Sequence, residues 1–146
     1  MRLFIDADGC PVVNQSVEIA KKNHIEAVIV KNHAHQIRSD YAEVVTVDKS
    51  RDSADYYIVN HASKGDIIVT QDYGLAAMAL SKQAYVITQN GLFITPVNID
   101  QLLESRHINQ VMRRKHKVYT HHKKRESAQD TTYIKALETL ISQIND

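Results

Sequence analysis

One cysteine, two prolines, four glycines and no tryptophan stand among the 146 residues. The lone Cys10 excludes an internal disulfide and suits a reducing compartment, so a cytoplasmic protein is expected. So little glycine and proline excludes collagen-like and low-complexity chains, and 43% apolar residues argue against a disordered one. Long apolar runs are missing too. The longest is Leu75–Leu80, far short of the ~20 residues of a membrane-spanning helix, and no membrane partner is expected. The opening Met-Arg-Leu-Phe-Ile meets Asp6 at once, which is not the pattern of a secretory leader. Nor is there an excess of one charge, with 18 Lys+Arg against 17 Asp+Glu. What is left is one domain, long enough to bury a core without covalent staples.

The balance of charge conceals an asymmetry. Arg106 to Arg125 holds eight Lys/Arg and no acid, so against a total of +1 the rest of the chain carries −7. An acidic body with a basic segment near its end is the feature a function has to explain.

The apolar pattern gives the elements. Arg2–Ile5 is a short strand ending in the turn Asp-Ala-Asp-Gly-Cys-Pro, and Pro11 suits the first turn of a helix running to Asn23. Ala27–Val30, Val44–Val47, Ile67–Thr70 and Tyr85–Thr88 are continuous apolar runs, as strands buried on both faces show. Helical stretches lie between them at Asp52–Ala62 and Leu75–Leu80, and Asn90-Gly91 marks a tight hairpin after the last run. Strands alternating with helices imply βαβ units, hence an α/β fold around a mainly parallel sheet. The C-terminal third differs. Leu102, Leu103, Ile108, Val111 and Met112 suggest one amphipathic helix, and Tyr133, Ile134, Leu137, Leu140, Ile141 and Ile144 trace a second. The basic stretch His116–Arg125 between them reads as a loop. We expect an α/β core over residues 1–97 and a helical extension over 98–146, with the basic segment at 106–125.

In an open parallel sheet, functional groups gather at the carboxyl ends of the strands. Asp6 and Asp8 follow the first strand, Asp48 the third and Asp72 the fourth, while Asp52 and Asp55 share the opening of a helix. Asp66 begins the fourth strand, on the order of 20 Å away at the other end of the sheet. Several carboxylates at one rim repel one another, and a hard divalent cation such as Mg²⁺ or Mn²⁺ relieves that repulsion. Such ions can activate water for phosphodiester cleavage. Each acid also has a plainer use: Asp52 and Asp72 as helix caps, Asp55 in a first helical turn, Asp6 and Asp8 in a turn. The shared rim favours a metal site.

Three segments carry a resemblance that runs along nearly the whole chain. Phe4-Ile-Asp-Ala-Asp-Gly-Cys-Pro11 resembles the D-A-D-A-C-P signature of the bacterial YaiI/YqxD family. Asp52-Ser-Ala-Asp55-Tyr-Tyr-Ile58-Val59 is similar to its D-x-A-D-x-x-I-V segment. Gly65-Asp-Ile-Ile-Val-Thr-Gln-Asp72 with Leu75-Ala76 is similar to its G-D-x-V-I-T-x-D-x-x-L-A segment, and Thr95-Pro96 and Arg106 fall in place. That family is grouped with PIN-like domains, whose members include metal-dependent RNases. The resemblance implies a three-layer α/β/α sandwich, here with two C-terminal helices. It also implies metal ligation and catalysis at Asp6, Asp8, Asp55 and Asp72, with Asp52 a further ligand and Asp48 set aside. Gly9 stands where the family has Ala. His121-His-Lys-Lys-Arg125 replaces the family's glycine- and proline-containing turn, and Asp130 matches an acid that a helix cap explains.

The basic segment suits phosphate contacts. Arg113, Arg114, Lys115, Lys117, Lys123, Lys124 and Arg125, with Tyr119 between them as a stacking group, are candidate nucleic-acid contacts, and Arg106 and Asn32 are grouped with them. Cys10 has no assignable base beside it and reads as a partly buried small residue. His33, His35, His116, His121 and His122 fit no structural zinc spacing. The residues therefore point to a Mg²⁺- or Mn²⁺-dependent nuclease acting on RNA. Two alternatives stay open: a haloacid-dehalogenase-like phosphatase with Asp6 as nucleophile, because Asp6-x-Asp8-Gly9 matches its D-x-D-G start, and a non-catalytic nucleic-acid-binding module.

Overall fold

The computed structural model describes residues 1–33, 36–50, 52–116 and 124–146. Six strands form one sheet in the order β3-β2-β1-β4-β5-β6. They are β1 (Arg2–Asp6), β2 (Glu26–Asn32), β3 (Glu43–Val47), β4 (Ile67–Val69), β5 (Tyr85–Ile87) and β6 (Phe93–Ile94). The first five are parallel and β6 returns antiparallel to β5. The helices are α1 (Val13–Lys22), α2 (Ser53–His61), α3 (Tyr73–Ser81), α4 (Ile99–His116) and α5 (Ser127–Asn145).

The period-2 alternation of each central strand sorts its side chains to two cores. Leu3, Ile5, Ala27, Ile29, Ile67, Val69 and Ile87 pack beneath α1 and α5, against Val17, Ala20, Tyr133 and Leu137. Phe4, Val28, Val30, Ile68 and Val86 pack beneath α2, α3 and the start of α4, against Ile58, Leu75, Ala76, Ala79 and Ile99. Both faces are covered, so the fold is a three-layer α/β/α sandwich. The last helix belongs to the core: Tyr133 is fully buried and its hydroxyl lies 2.7 Å from Ser16 Oγ on α1.

Some expectations need correction. Pro11 lies in the turn before α1, whose N-cap is Val12. Helix α4 ends at His116, where the basic stretch read as a loop begins; residues 117–123 of that stretch lie outside the described residues, and 124–126 are not helical. Only the beginning of α4 is packed: Ile99 is buried and Leu102 and Leu103 join the core, whereas Ile108, Val111 and Met112 are exposed. Among the described residues, no other element covers the apolar stripe on the second half of that helix. The cap of α5 is not Asp130. Glu126 and Gln129 form a reciprocal capping box, and Asp130 instead accepts from Arg125 Nε at 2.6 Å.

The hairpin at Asn90-Gly91 forms as expected. Gly91 adopts φ +84°, and a Cβ there would stand 3.1 Å from Ala136 Cβ on α5, so the turn requires glycine for conformation and for space. Arg125 pins the turn, donating to Asn90 Oδ1 at 2.8 Å and to the Gln89 carbonyl at 2.7 Å.

Candidate functional site

The strand order reverses between β1 and β4. The chain winds outward from β1 through β2 to β3, then crosses back to place β4 on the other side of β1. At such a switch point the two connections leave in opposite directions and a crevice opens beyond the carboxyl ends. Asp6 ends β1, and Thr70 and Asp72 follow β4, so both arms of the crevice carry polar groups.

Three of the expected acids interact there. The Thr70 hydroxyl donates to Asp6 Oδ2 at 2.8 Å and accepts from the Asp72 backbone N–H at 3.0 Å, tying the ends of β1 and β4 together. Asp72 Oδ1 accepts from the N–H groups of Gly74 and Leu75 at 2.8 and 3.1 Å, so Asp72 is both the cap of α3 and a member of the cluster. Asp55 comes from the first turn of α2, only 9% exposed, and lines the adjoining cavities together with Asp72. Its pKa rises to about 7 through burial, with the Asp72 and Asp6 charges adding. Burial likewise raises Asp6 to about 6, opposed by the Thr70 hydrogen bond and reinforced by Asp8 and Asp72.

The remaining acids divide. Asp8 lines the same cavity of about 410 Å³, and its Oδ1 accepts from the Asn32 backbone N–H at 3.4 Å, so Asn32 helps to place an acid. Asp52 sits at the N-cap of α2 without a side-chain capping bond and lines the adjoining cavity with Asp55 and Asp72. Its plainer use is therefore not realised. Asp48 is exposed beyond β3 and lines neither cavity. Asp66 accepts from the N–H groups of Arg2 and Ser63 at 2.9 and 2.8 Å and fastens the opposite end of the sheet.

Thr70 stands within the Gly65–Asp72 motif, but its partner Asp6 lies 64 residues away, so the motif by itself does not show the contact. Cys10 also lines the acidic cavity. Burial pushes its thiol up, and the Asp6 charge adds to this, so it stays protonated and is a poor nucleophile or ligand.

The donor set is made of hard oxygens, the chemistry that Mg²⁺ and Mn²⁺ prefer. Among the described residues, no three His, Cys, Asp or Glu side chains already surround a single point as a ready-made cage. That is compatible with an ion that takes one or two carboxylates and keeps its waters, as Mg²⁺ commonly does.

The basic candidates separate by position. Arg106 lines the acidic cavity, the adjoining Asp52 cavity and a groove beyond them. Arg113 lies two turns further along the same face of α4 and lines that groove. At ~100° per residue, Arg114 is turned away from them and Lys115 points to the opposite side. Lys124 is exposed. Arg125 has a structural role: three of its N–H groups are committed to Asp130, Asn90 and Gln89. Lys117, Tyr119, His121, His122 and Lys123, like His35, lie outside the described residues. No helix among the described residues is long and apolar enough to cross a membrane.

Comparison with known proteins agrees with the motif reading. Residues 4–143 match the family described as "Uncharacterized BCR, YaiI/YqxD family". A UPF0178 protein of Alkaliphilus oremlandii is 53% identical over 133 residues, covering 91% of this chain and 86% of its own. One of Natranaerobius thermophilus is 46% identical over 144 residues, covering 99% and 98%. Among solved structures, the crystal structure of Rae1 (YacP) from Bacillus subtilis aligns over 99% of this chain and 98% of its own, at 14% identity and a TM-score of 0.46. With a match along almost its full length and relatives this similar, the chain belongs to the YaiI/YqxD family.

Proposed function

We propose that the protein is a Mg²⁺- or Mn²⁺-dependent nuclease that hydrolyses phosphodiesters, acting on RNA. The observation that carries this reading is the convergence of Asp6, Asp55 and Asp72, from three separate elements, on one crevice where their mutual repulsion and burial hold Asp6 near pKa 6 and Asp55 near 7. A site that unfavourable for anions is suited to a cation. Asp6, Asp55 and Asp72 would supply oxygens to the ion directly or through water, with Asp8 and Asp52 adding negative potential at the edges. A bound divalent ion would neutralise charge on the phosphate and lower the pKa of a water it holds.

The chain's own residues do the rest. Thr70 fixes the Asp6 carboxylate, so one of its oxygens is oriented before any ligand arrives. The α3 cap fixes Asp72 in the same way. Arg106, exposed at the mouth of the acidic cavity, offers a guanidinium to a phosphate that the acids alone would repel.

Cleavage of end-labelled RNA in Mg²⁺ or Mn²⁺ tests the proposal. Activity should vanish with chelator and fall by on the order of a hundredfold or more in Asp6→Asn and Asp55→Asn, as changes at metal-site groups do. Cleavage that persists in chelator, or in both variants, would remove the reading.

A further inference from the structure

Beyond Arg106 the acidic crevice opens into a groove between α3 and α4, with a volume of about 440 Å³. Its walls carry Tyr73, Ser105, Arg106, Asn109, Gln110 and Arg113. We infer that this groove is a subsite for single-stranded nucleic acid, in which Tyr73 stacks on an unpaired base and Arg106 and Arg113 pair with phosphates roughly three nucleotides apart.

Four observations carry the assignment. First, the groove is continuous with the acids, because Arg106 lines it, the acidic cavity and the cavity holding Asp52 and Tyr56 between them. Second, Arg106, Gln110 and Arg113 follow at i, i+4 and i+7, so they form one stripe along α4. The two arginines are about 10 Å apart along the axis at ~1.5 Å per residue, the length of roughly three nucleotides stacked at ~3.4 Å. Third, both arginines are exposed, and neither makes a hydrogen bond or ion pair among the described residues. Fourth, Tyr73 follows Asp72 directly and opens α3, so the Asp72 cap that places the acid also places the ring.

The chemistry selects the ligand class. A π-face stacks on any base, but only when that base is free of a duplex, and carboxamides such as Asn109 and Gln110 can pair with base edges. Two cations along one groove, with a half-buried aromatic and amides on its walls, suit a strand with exposed bases. The inference rests on the nuclease reading only for the direction of the strand, from the acids towards Arg113.

Fluorescence anisotropy of a labelled 12-residue oligoadenylate, titrated with the full chain in EDTA so that nothing is cleaved, tests it. Saturable binding is expected. Tyr73→Leu keeps apolar bulk without a π-face and should weaken binding about tenfold, whereas Tyr73→Phe should leave it within about twofold. Arg113→Gln should weaken binding and reduce the slope of log K against log salt by about 0.7, one phosphate contact on a single strand. Lys64→Gln removes the same charge at the far end of the sheet and should change neither. The inference is overturned if no saturable binding is seen, if the Leu and Phe variants bind alike, if Lys64→Gln costs as much as Arg113→Gln, or if a duplex of equal length competes as well as the single strand. Should Tyr73→Leu fail to fold, the Arg113→Gln and duplex arms still decide. Binding that behaves as described without metal-dependent cleavage would leave the subsite standing and remove the hydrolytic reading alone.

Discussion

Replacing Asp6 by asparagine should stabilise the metal-free protein at pH 8 even as it removes a donor from the site. Burial raises Asp6 to about 6, whereas the unfolded chain returns it to ~3.9. Between those values the folded state binds more protons than the unfolded one, so wild-type stability falls as pH rises from about 4 to about 6 and stays lowered above that. Two pKa units correspond to roughly 3 kcal/mol at ~1.36 kcal/mol each. Partial exposure of the carboxyl and loss of the charge-assisted bond from Thr70 reduce the expected gain to about 1–2 kcal/mol. For a chain of this length that is roughly 3–6 °C in Tm. Urea and thermal melts in EDTA at pH 8 and pH 4 measure it. The variant should exceed wild type at pH 8, and the gap should close towards pH 4, where the wild-type carboxyl is itself protonated. Added Mg²⁺ should raise wild type at pH 8 and leave the variant where it was. A variant that is less stable at pH 8, or a gap independent of pH, would refute the electrostatic account of the cluster.

Other substitutions separate the site from its scaffold. Asp72→Asn keeps a capping side chain and should fold normally without activity, while Asp72→Ala should also lose about 1 kcal/mol of stability, read from urea midpoints. Gly91→Ala places a methyl against Ala136 at a positive φ and should cost at least about 1–2 kcal/mol. Arg125→Gln should lower stability through the lost Asp130 and Gln89 contacts while leaving the salt slope of RNA binding unchanged. Beryllofluoride that labels Asp6, seen as a metal-dependent adduct in a crystal, would favour the phosphatase alternative over the nuclease.

The strands and the rim were readable in the chain because a parallel sheet covered on both faces leaves continuous apolar runs, and the acids follow those runs directly. Asp6 and Asp72 could be placed from strand ends alone. The role of Thr70 could not, because its place in the Gly65–Asp72 motif does not tell that its hydroxyl meets a carboxylate across two strands. The second half of α4 shows how far that signal reaches: Ile108, Val111 and Met112 have helical spacing and lie on a helix, but periodicity reports a stripe and not whether anything packs on it. Arg125 looked like one more phosphate contact in a basic run. Its role came from the hairpin and from Asp130, which chain folding brings to it. Asp130 stands near a helix start, where a cap is expected, but the cap is Glu126 four residues earlier.

Anomalous scattering from a crystal soaked in Mn²⁺ tests the central claim most directly. A peak is expected in the crevice at the ends of β1 and β4, within coordination distance of oxygens from Asp6, Asp55 or Asp72, and it should be lost in Asp55→Asn. A crystal that takes up manganese only elsewhere, or shows the same peak in the variant, would contradict it.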